Sequence, residues 1–413
     1  MQTRLLERFL RYVAVTSQSD ASQAVVPSTE GQRSLAELLK KDLAELGLVN
    51  LEISEYSVLT GKLPANLPAG SGEQVPAVGF VAHLDTVDVN LSADIKPQVV
   101  RSYSGGDICV YEKKGSSLRE AEHPELLKYK GQDIVCTDGT SVLGADNKAA
   151  IANVVVALET LVQNKDLQHG DIYVAFVPDE ECGLRGAKKM DFSKFPVAFA
   201  YTIDCCELGE VVYETFNAGS AVVKIKGVSA HPMSAKGVMV NPTLVDLINS
   251  FDRMQTPEHT EGTEGYIWAK SIISNQSEAV VQLDIRDHNK NTYEARKHLI
   301  KTNVESLQKL YPRAEIVCTI TDTYGNIADA VNDENRKCID YIYTAMSELG
   351  IKPNTIAMRG GTDGSYISTQ GILTPNYFTG GHNFHSNCEF LPLLALEKSC
   401  QMTLKLIELI AKG

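Results

Sequence analysis

The apolar residues Leu5, Leu6, Phe9, Leu10 and Val13 recur at helical spacing. A second stripe, Leu35, Leu38, Leu39, Leu43 and Leu46, predicts another helix. Thr29 with Gln32 three residues on predicts the N-cap of that second helix, and Gly47 predicts its stop. After Leu51 the pattern changes. Short apolar runs at 77–82, 171–178 and 197–204 predict buried strands of a parallel sheet, and 142–163 predicts a long helix between the first two. This alternation reads as an α/β layer structure with helices on both faces. The stretch 61–76, rich in Pro and Gly, predicts a surface loop.

The segment 214–324 has another rhythm. Strand-like runs at 221–226, 266–274, 279–287 and 315–321 are interleaved with helical windows at 241–254, where Pro242 sits in the first turn, and 293–310. The order β-α-β-β-α-β is the ferredoxin-like arrangement, which folds as one compact α+β unit. The segment is therefore predicted to be a domain inserted between 1–213 and 325–413. There is no internal repeat and no low-complexity tract.

Composition narrows the function classes. Hydrophobic residues make 43% of the 413 and charged ones 22%, an ordinary globular balance. The formal net charge of −13 repels phosphate backbones and anionic lipid, which argues against nucleic-acid and membrane partners. The longest apolar stretch, 149–162, is interrupted by Asn153 and Glu159 and is too short to span a bilayer. At the N-terminus, Arg4, Glu7, Arg8 and Arg11 are spread among the apolar residues, so the segment reads as a mature amphipathic helix and not a signal peptide. Nine cysteines, an odd number without a CxxC pair, fit reduced thiols and a cytoplasmic location.

The chemistry-bearing residues cluster at predicted strand ends, the edge where open α/β sheets bind ligands. GFVAHLDTVD delivers His83 and, two residues on, Asp85. GADNKAA places Asp146 at a helix start. FVPDEECG ends a strand in Glu180 and Glu181, and AYTIDC ends one in Asp204. Far downstream, GGHNFHSNCEF carries His382 and His385. Carboxylates crowded at the ends of apolar strands repel one another and resist ionisation unless a cation is present. Imidazole with carboxylate suits Zn²⁺, and Co²⁺ or Mn²⁺ less specifically. Two divalent cations would balance Asp146, Glu181 and Asp204 plus one hydroxide. One carboxylate must then bridge, and Glu180 is left over as a candidate general base for the attacking water. A closed structural zinc site fits less well, because such sites favour Cys and spare no carboxylate.

These motifs, together with the FNAGS segment, HPMSAKGVMVNP, RGGTDGS and TGGHNFH, resemble the M20 family of di-zinc metallopeptidases, in particular its tripeptide aminopeptidases. The resemblance runs nearly the whole length. It implies a mixed-sheet zinc-exopeptidase catalytic domain with an inserted ferredoxin-like lid, and release of the N-terminal residue from tripeptides. It implies that His83, Asp146 and Asp204 hold one zinc, with Asp146 bridging to a second held by Glu181 and His385. Asp85 would orient His83, Glu180 would be the general base, and His231 in the lid would stabilise the oxyanion. Arg359 or Arg286 would clamp the peptide carboxylate, and Asn217 would donate to the substrate. His382 reads as a loop residue, and His123, His169, His259, His288 and His298 as surface. The sequence departs from the family pattern at Ser386-Asn387-Cys388. Other M20 activities (dipeptidase, carboxypeptidase, acyl-amino-acid deacylase) use the same metals and stay open. A non-catalytic homologue would be expected to lack Glu180 or a ligand, and none is lacking. Family members often pair through the lid, so a homodimer is compatible with this reading.

Overall fold

The computed structural model describes residues 1–67, 75–111, 116–236, 238 and 240–413. The chain divides into two compact units. One comprises Met1–Tyr213, Val331–Ile356 and Thr362–Gly413, and the other Glu214–Ala330 and Ala357–Gly361.

The first unit is built on a mixed eight-stranded sheet. Its order is Val49–Ile53, Leu59–Leu63, Ile172–Val177, Val78–His83, Phe199–Cys205, Asn376–Phe378, Glu210–Thr215 and Asn354–Met358. Val78–His83 runs parallel to both Ile172–Val177 and Phe199–Cys205, and Asn376–Phe378 runs parallel to the latter. These central strands are apolar on both faces because both faces are covered. The helix Ala145–Gln163 lies on Val78–His83 and Phe199–Cys205 and packs in turn against Gln2–Val13 and Leu393–Lys412. On the other face Val81, Ala175, Val177 and Ala200 meet Phe195, Met190 and Ile367. The eight cysteines whose side chains are described are all free. Among the described residues no helix is long and apolar enough to cross a membrane.

Three local expectations need correction. Gly61 does not open a surface loop: Gly61 and Leu63 are buried in the strand Leu59–Leu63, where Gly61 lets the Leu51 side chain approach (an added Cβ would meet it at 2.5 Å). Thr29 does stand at the N-cap position of Glu30–Glu45, but its hydroxyl makes no cap bond and donates instead to the Gln18 carbonyl. The long helix starts at Ala145 and not at 142, behind a left-handed Gly144, and its residues Asp146 and Asn147 are not helical.

In the second unit the antiparallel sheet Tyr266–Ser274, Glu278–Asp287, Asn217–Lys226, Glu315–Tyr324 carries the helices Val240–Asn249 and Lys290–Leu310. This is the ferredoxin-like order. The unit extends past 324 because Asn326 accepts from the Thr215 amide at 2.8 Å and its own amide donates to Asn217 Oδ1 at 3.1 Å. It recovers 357–361 because the Gly360 carbonyl accepts from the Phe216 amide. Gly361 also passes so close to Tyr324 that an added Cβ would lie 2.4 Å from the ring.

Buried Asp42 ties the first two helices. It accepts from Arg8 and Arg11 and, at 2.8 Å, from the buried Tyr12 hydroxyl. Asp42→Ala leaves that hydroxyl unpaired and should lower stability by about 1–3 kcal/mol. The measurement is the urea midpoint, with the metal content expected to stay unchanged.

Candidate active site

Five predicted ligand residues converge at one edge of the large sheet, all within the first unit. His83 is the last residue of Val78–His83, Asp204 the penultimate residue of Phe199–Cys205, and Glu180 and Glu181 follow Ile172–Val177. Asp146 comes from the irregular first turn of Ala145–Gln163, and His385 from the loop before the strand Phe390–Pro392. A strand end, a helix start and a loop come together at this edge, so residues 63 to 239 positions apart meet.

Asp146 is the centre. His83 Nε2 lies 2.8 Å from its Oδ1, and His385 Nε2 lies 3.0 Å from its Oδ2. Asp204 Oδ1 is 3.8 Å from His83 Nε2, and Glu181 Oε1 is 2.9 Å from His385 Nε2. Two donor sets result, His83–Asp146–Asp204 and Asp146–Glu181–His385, each with ligand atoms within 4.8 Å of one another. A third set within the same limit is His83–Glu180–Glu181.

The chemistry of this donor set fits cations. His83 Nδ1 faces the Asp85 backbone carbonyl at 3.0 Å, and a carbonyl can only accept. Nδ1 therefore carries the proton in the neutral ring, and Nε2 presents a lone pair towards two carboxylates. Such an arrangement needs a proton or a metal between them. Buried Glu181 Oε1 likewise accepts no well-aligned hydrogen bond despite its proximity to His385. Burial would raise Asp146, but the His385 and His83 imidazoles overcome it and hold its carboxyl below the ordinary range, while the other acids resist ionisation. Burial pushes Glu181 up to about 7 and, with neighbouring Asp146, Asp204 up to about 6. Glu180 goes well above the carboxylate range, again chiefly through burial. Burial would lower the His83 imidazole, but its carboxylate neighbours reverse this and raise it. Contacts with Asp146 and Glu181 push His385 up to about 11.

Asp85 meets both the His83 ring and the backbone of the glutamate turn. Its carboxylate stands 3.4 Å from His83 Nδ1 and accepts the backbone N–H groups of Glu180 at 3.0 Å and Glu181 at 3.2 Å. It therefore locks the two adjacent glutamates to the histidine strand. Asp179, just before them, has a left-handed φ of 55° and is gripped by Ser28 and Gln32. Asn147 Nδ2 donates to Asp204 at 2.8 Å.

The expected substrate residues Asn217, His231, Arg286 and Arg359 all lie in the second unit, where three of them are already engaged. Arg359 donates to the Gly262 and Glu264 carbonyls and to Thr260, and stacks on Phe216 and Tyr266. Arg286 donates to the Gly219 and Ile285 carbonyls and lies 3.5 Å from Asp284. Asn217 donates to His288 O and Asp329. His231 is exposed.

Sequence reasoning passed over three buried ionisable groups beside the cluster. Lys148 is fully buried, donates to the Val15 carbonyl, and is pushed down to about 7 by burial. It is the one basic residue of a helix that is otherwise chiefly apolar, which was a readable signal. Glu389 accepts three backbone amides of the 143–146 turn and opens an apolar run. Asp363 is 2% exposed with Oδ1 unpartnered, and burial raises it well above the carboxylate range. His382 is no simple loop residue, being buried, stacked on Phe390 and bonded to the Tyr129 hydroxyl at 2.6 Å. His169 and His288 are buried too.

Residues 144–409 match the sequence profile described as peptidase family M20/M25/M40, and the chain belongs to that family. Relatives similar over nearly its whole length carry the name peptidase T. A peptidase T-like protein of Yersinia pestis is 52% identical over 405 residues, 98% of this chain and 97% of that one. Peptidase T of Caldanaerobacter subterraneus subsp. tengcongensis is 40% identical over 412 residues, 99% of each. The fold is shared with a crystal structure of a tripeptidase from Staphylococcus aureus, at a TM-score of 0.76 and 22% identity, covering 100% of this chain and 99% of that one.

Burial pushes His382 down to about 4. Its folded value lies below its ordinary one near 6.5, so the folded protein takes up fewer protons than the unfolded chain between these values. Stability present above about pH 6.5 should therefore fall as pH drops towards 4, by on the order of 3 kcal/mol. Chemical denaturation across that range, compared with His382→Gln, reads the difference; equal slopes would rule out His382 as the source.

Proposed function

We propose that the protein is a di-zinc aminopeptidase that releases the N-terminal residue of tripeptides. The observation that carries this reading is the pair of donor sets sharing Asp146. In this assignment His83, Asp146 and Asp204 hold one ion, and Asp146, Glu181 and His385 hold the other. Zinc ions there would supply a Lewis acid for the scissile carbonyl and lower the pKa of the attacking water towards about 7.

The chain's own residues do the rest. Glu180 belongs to neither set, and its amide is held by Asp85, so its backbone is anchored at the edge that carries both sets. It takes the proton of the attacking water and returns it to the peptide nitrogen as the C–N bond breaks. His231, exposed on the second unit, is assigned to the developing oxyanion. Arg359 and Arg286 each keep N–H groups beyond those already engaged, and one of these arginines is assigned to the C-terminal carboxylate, with Asn217 as a further donor. Tripeptides are supported by the names of the relatives, peptidase T and tripeptidase. A small soluble peptide also suits the acidic chain and a cytoplasmic location.

The adjacent glutamates should fail differently. Glu181→Ala should lower zinc occupancy and activity together. Glu180→Gln should keep both ions and bind peptide, yet lose ~10²–10⁴-fold in kcat and the acidic limb of its pH–rate profile. Zinc loss in Glu180→Gln with retention in Glu181→Ala would mean the two roles are swapped, which the His83–Glu180–Glu181 set makes a sharp alternative.

Substrate choice is tested separately. Tripeptides should be cut, while N-acetylated tripeptides and ten-residue peptides should not. Preferential hydrolysis of dipeptides or N-acylated amino acids would move the protein to another M20 activity.

A further inference from the structure

The bridging role of Asp146 requires its two oxygens to face two different imidazoles, at 2.8 and 3.0 Å. Its backbone must therefore be fixed closely. It sits in the first turn of a helix, where amides have no helical acceptor, and the turn is buried, with Leu143 and Ala145 fully enclosed. All three inward amides end on one side chain. Glu389 Oε2 accepts from Leu143 at 2.6 Å and Gly144 at 3.0 Å, and Oε1 accepts from Asp146 at 3.2 Å.

Glu389 is itself 1% exposed and arrives from the segment that carries His385. The residue after it, Phe390, pairs with Cys136 in the ladder joining Phe390–Pro392 to Ile134–Thr137, the strand that leads into the Asp146 turn. The two segments that supply Asp146 and His385 are thus joined twice, by a β-ladder and by one carboxylate. A buried carboxylate is costly unless compensated. Here three amides offset part of that cost, against burial and the Asp146 charge, which raise the Glu389 carboxyl.

We propose that Glu389 is a positioning residue that sets Asp146 against His385 and so determines the affinity of the site for its second metal ion. This rests on the ligand assignment above. Glutamine cannot substitute, because its NH₂ would face either the Asp146 amide or the Leu143–Gly144 pair, donor against donor.

The test is competition titration of Zn²⁺ against a chromophoric chelator, on metal-free full-length protein. Glu389→Gln should bind one zinc equivalent about 10–100-fold more weakly than the wild type, the usual cost of losing an outer partner of a ligand. Its metal-free melting temperature tells whether it is folded. Glu389→Asp, which keeps the charge, should recover part of the loss. Wild-type zinc affinity in a folded Glu389→Gln protein overturns the proposal. Asp146→Ala is the control: if it also keeps both ions, the ligand assignment fails, independently of Glu389. Should neither Glu389 variant fold, amide exchange in the metal-free wild type decides. Protection at Leu143, Gly144 and Asp146 supports the proposal, and exchange at open-chain rates overturns it.

Discussion

Like charges packed at one sheet edge are the constraint to which the rest of the first unit answers. Asp85, Asp146, Glu180, Asp363 and Glu389 are all at most 9% exposed, and the side chains of Glu181 and Asp204 are 8% and 12% exposed. In an apolar layer such a group of anions would neutralise itself by taking up protons, as the upward shifts of Glu180, Glu181, Asp204 and Asp363 indicate. Cations relieve the repulsion without protons. The edge is therefore under electrostatic repulsion that bound cations would release, and the donor sets sharing Asp146 are groups that could hold one.

The scaffold holds that edge through its backbone. A parallel sheet ends its strands together, which brings distant residues side by side. Two residues at this edge take awkward conformations. Asp179 and His385 both have left-handed φ values, 55° and 60°, a region that costs non-glycine residues of order 1–3 kcal/mol. At Asp179 the surrounding bonds are visible: Ser28 and Gln32, at the start of the second helix, enclose both carboxylate oxygens and the amide. The N-terminal helices thereby do more than cover the sheet, because one of them anchors the turn that carries Glu180 and Glu181.

Much of this was legible in the sequence. Runs such as 77–82 and 197–204 must be buried strands, and a strand that ends in His or Asp after five apolar residues advertises a site. The inserted unit was legible for the same reason, since its periodicity switches between two and three to four residues at each element. Local chemistry read less well. Thr29 looked like a cap, but its hydroxyl serves Gln18, a contact that depends on how the chain folds back. Arg359 and Arg286 looked like free clamps, yet each already holds two backbone carbonyls. Which backbone groups lack partners is a tertiary fact, and an arginine's spacing along the chain does not carry it. His382 and His169 read as loop and surface residues because their immediate neighbours are polar, while burial comes from segments far away in sequence.

Glu389, Lys148 and Asp85 extend that point to the site itself. Motif reading finds residues whose side chains face the substrate, because chemistry restricts their type. It passes over Glu389 and Lys148, whose side chains face the backbone, because an amide N–H donates to any well-placed oxygen and a carbonyl accepts from any well-placed donor. Yet two of the carboxylates here divide the work between them: Asp85 holds the amides of Glu180 and Glu181, and Glu389 holds those of the Asp146 turn. Lys148 lies within the field of both. Two of the turns at this edge are thus each held by a carboxyl group that belongs to no donor set. Removing either carboxyl group leaves buried amides unsatisfied, so the positions of the donor residues depend on side chains that belong to neither donor set.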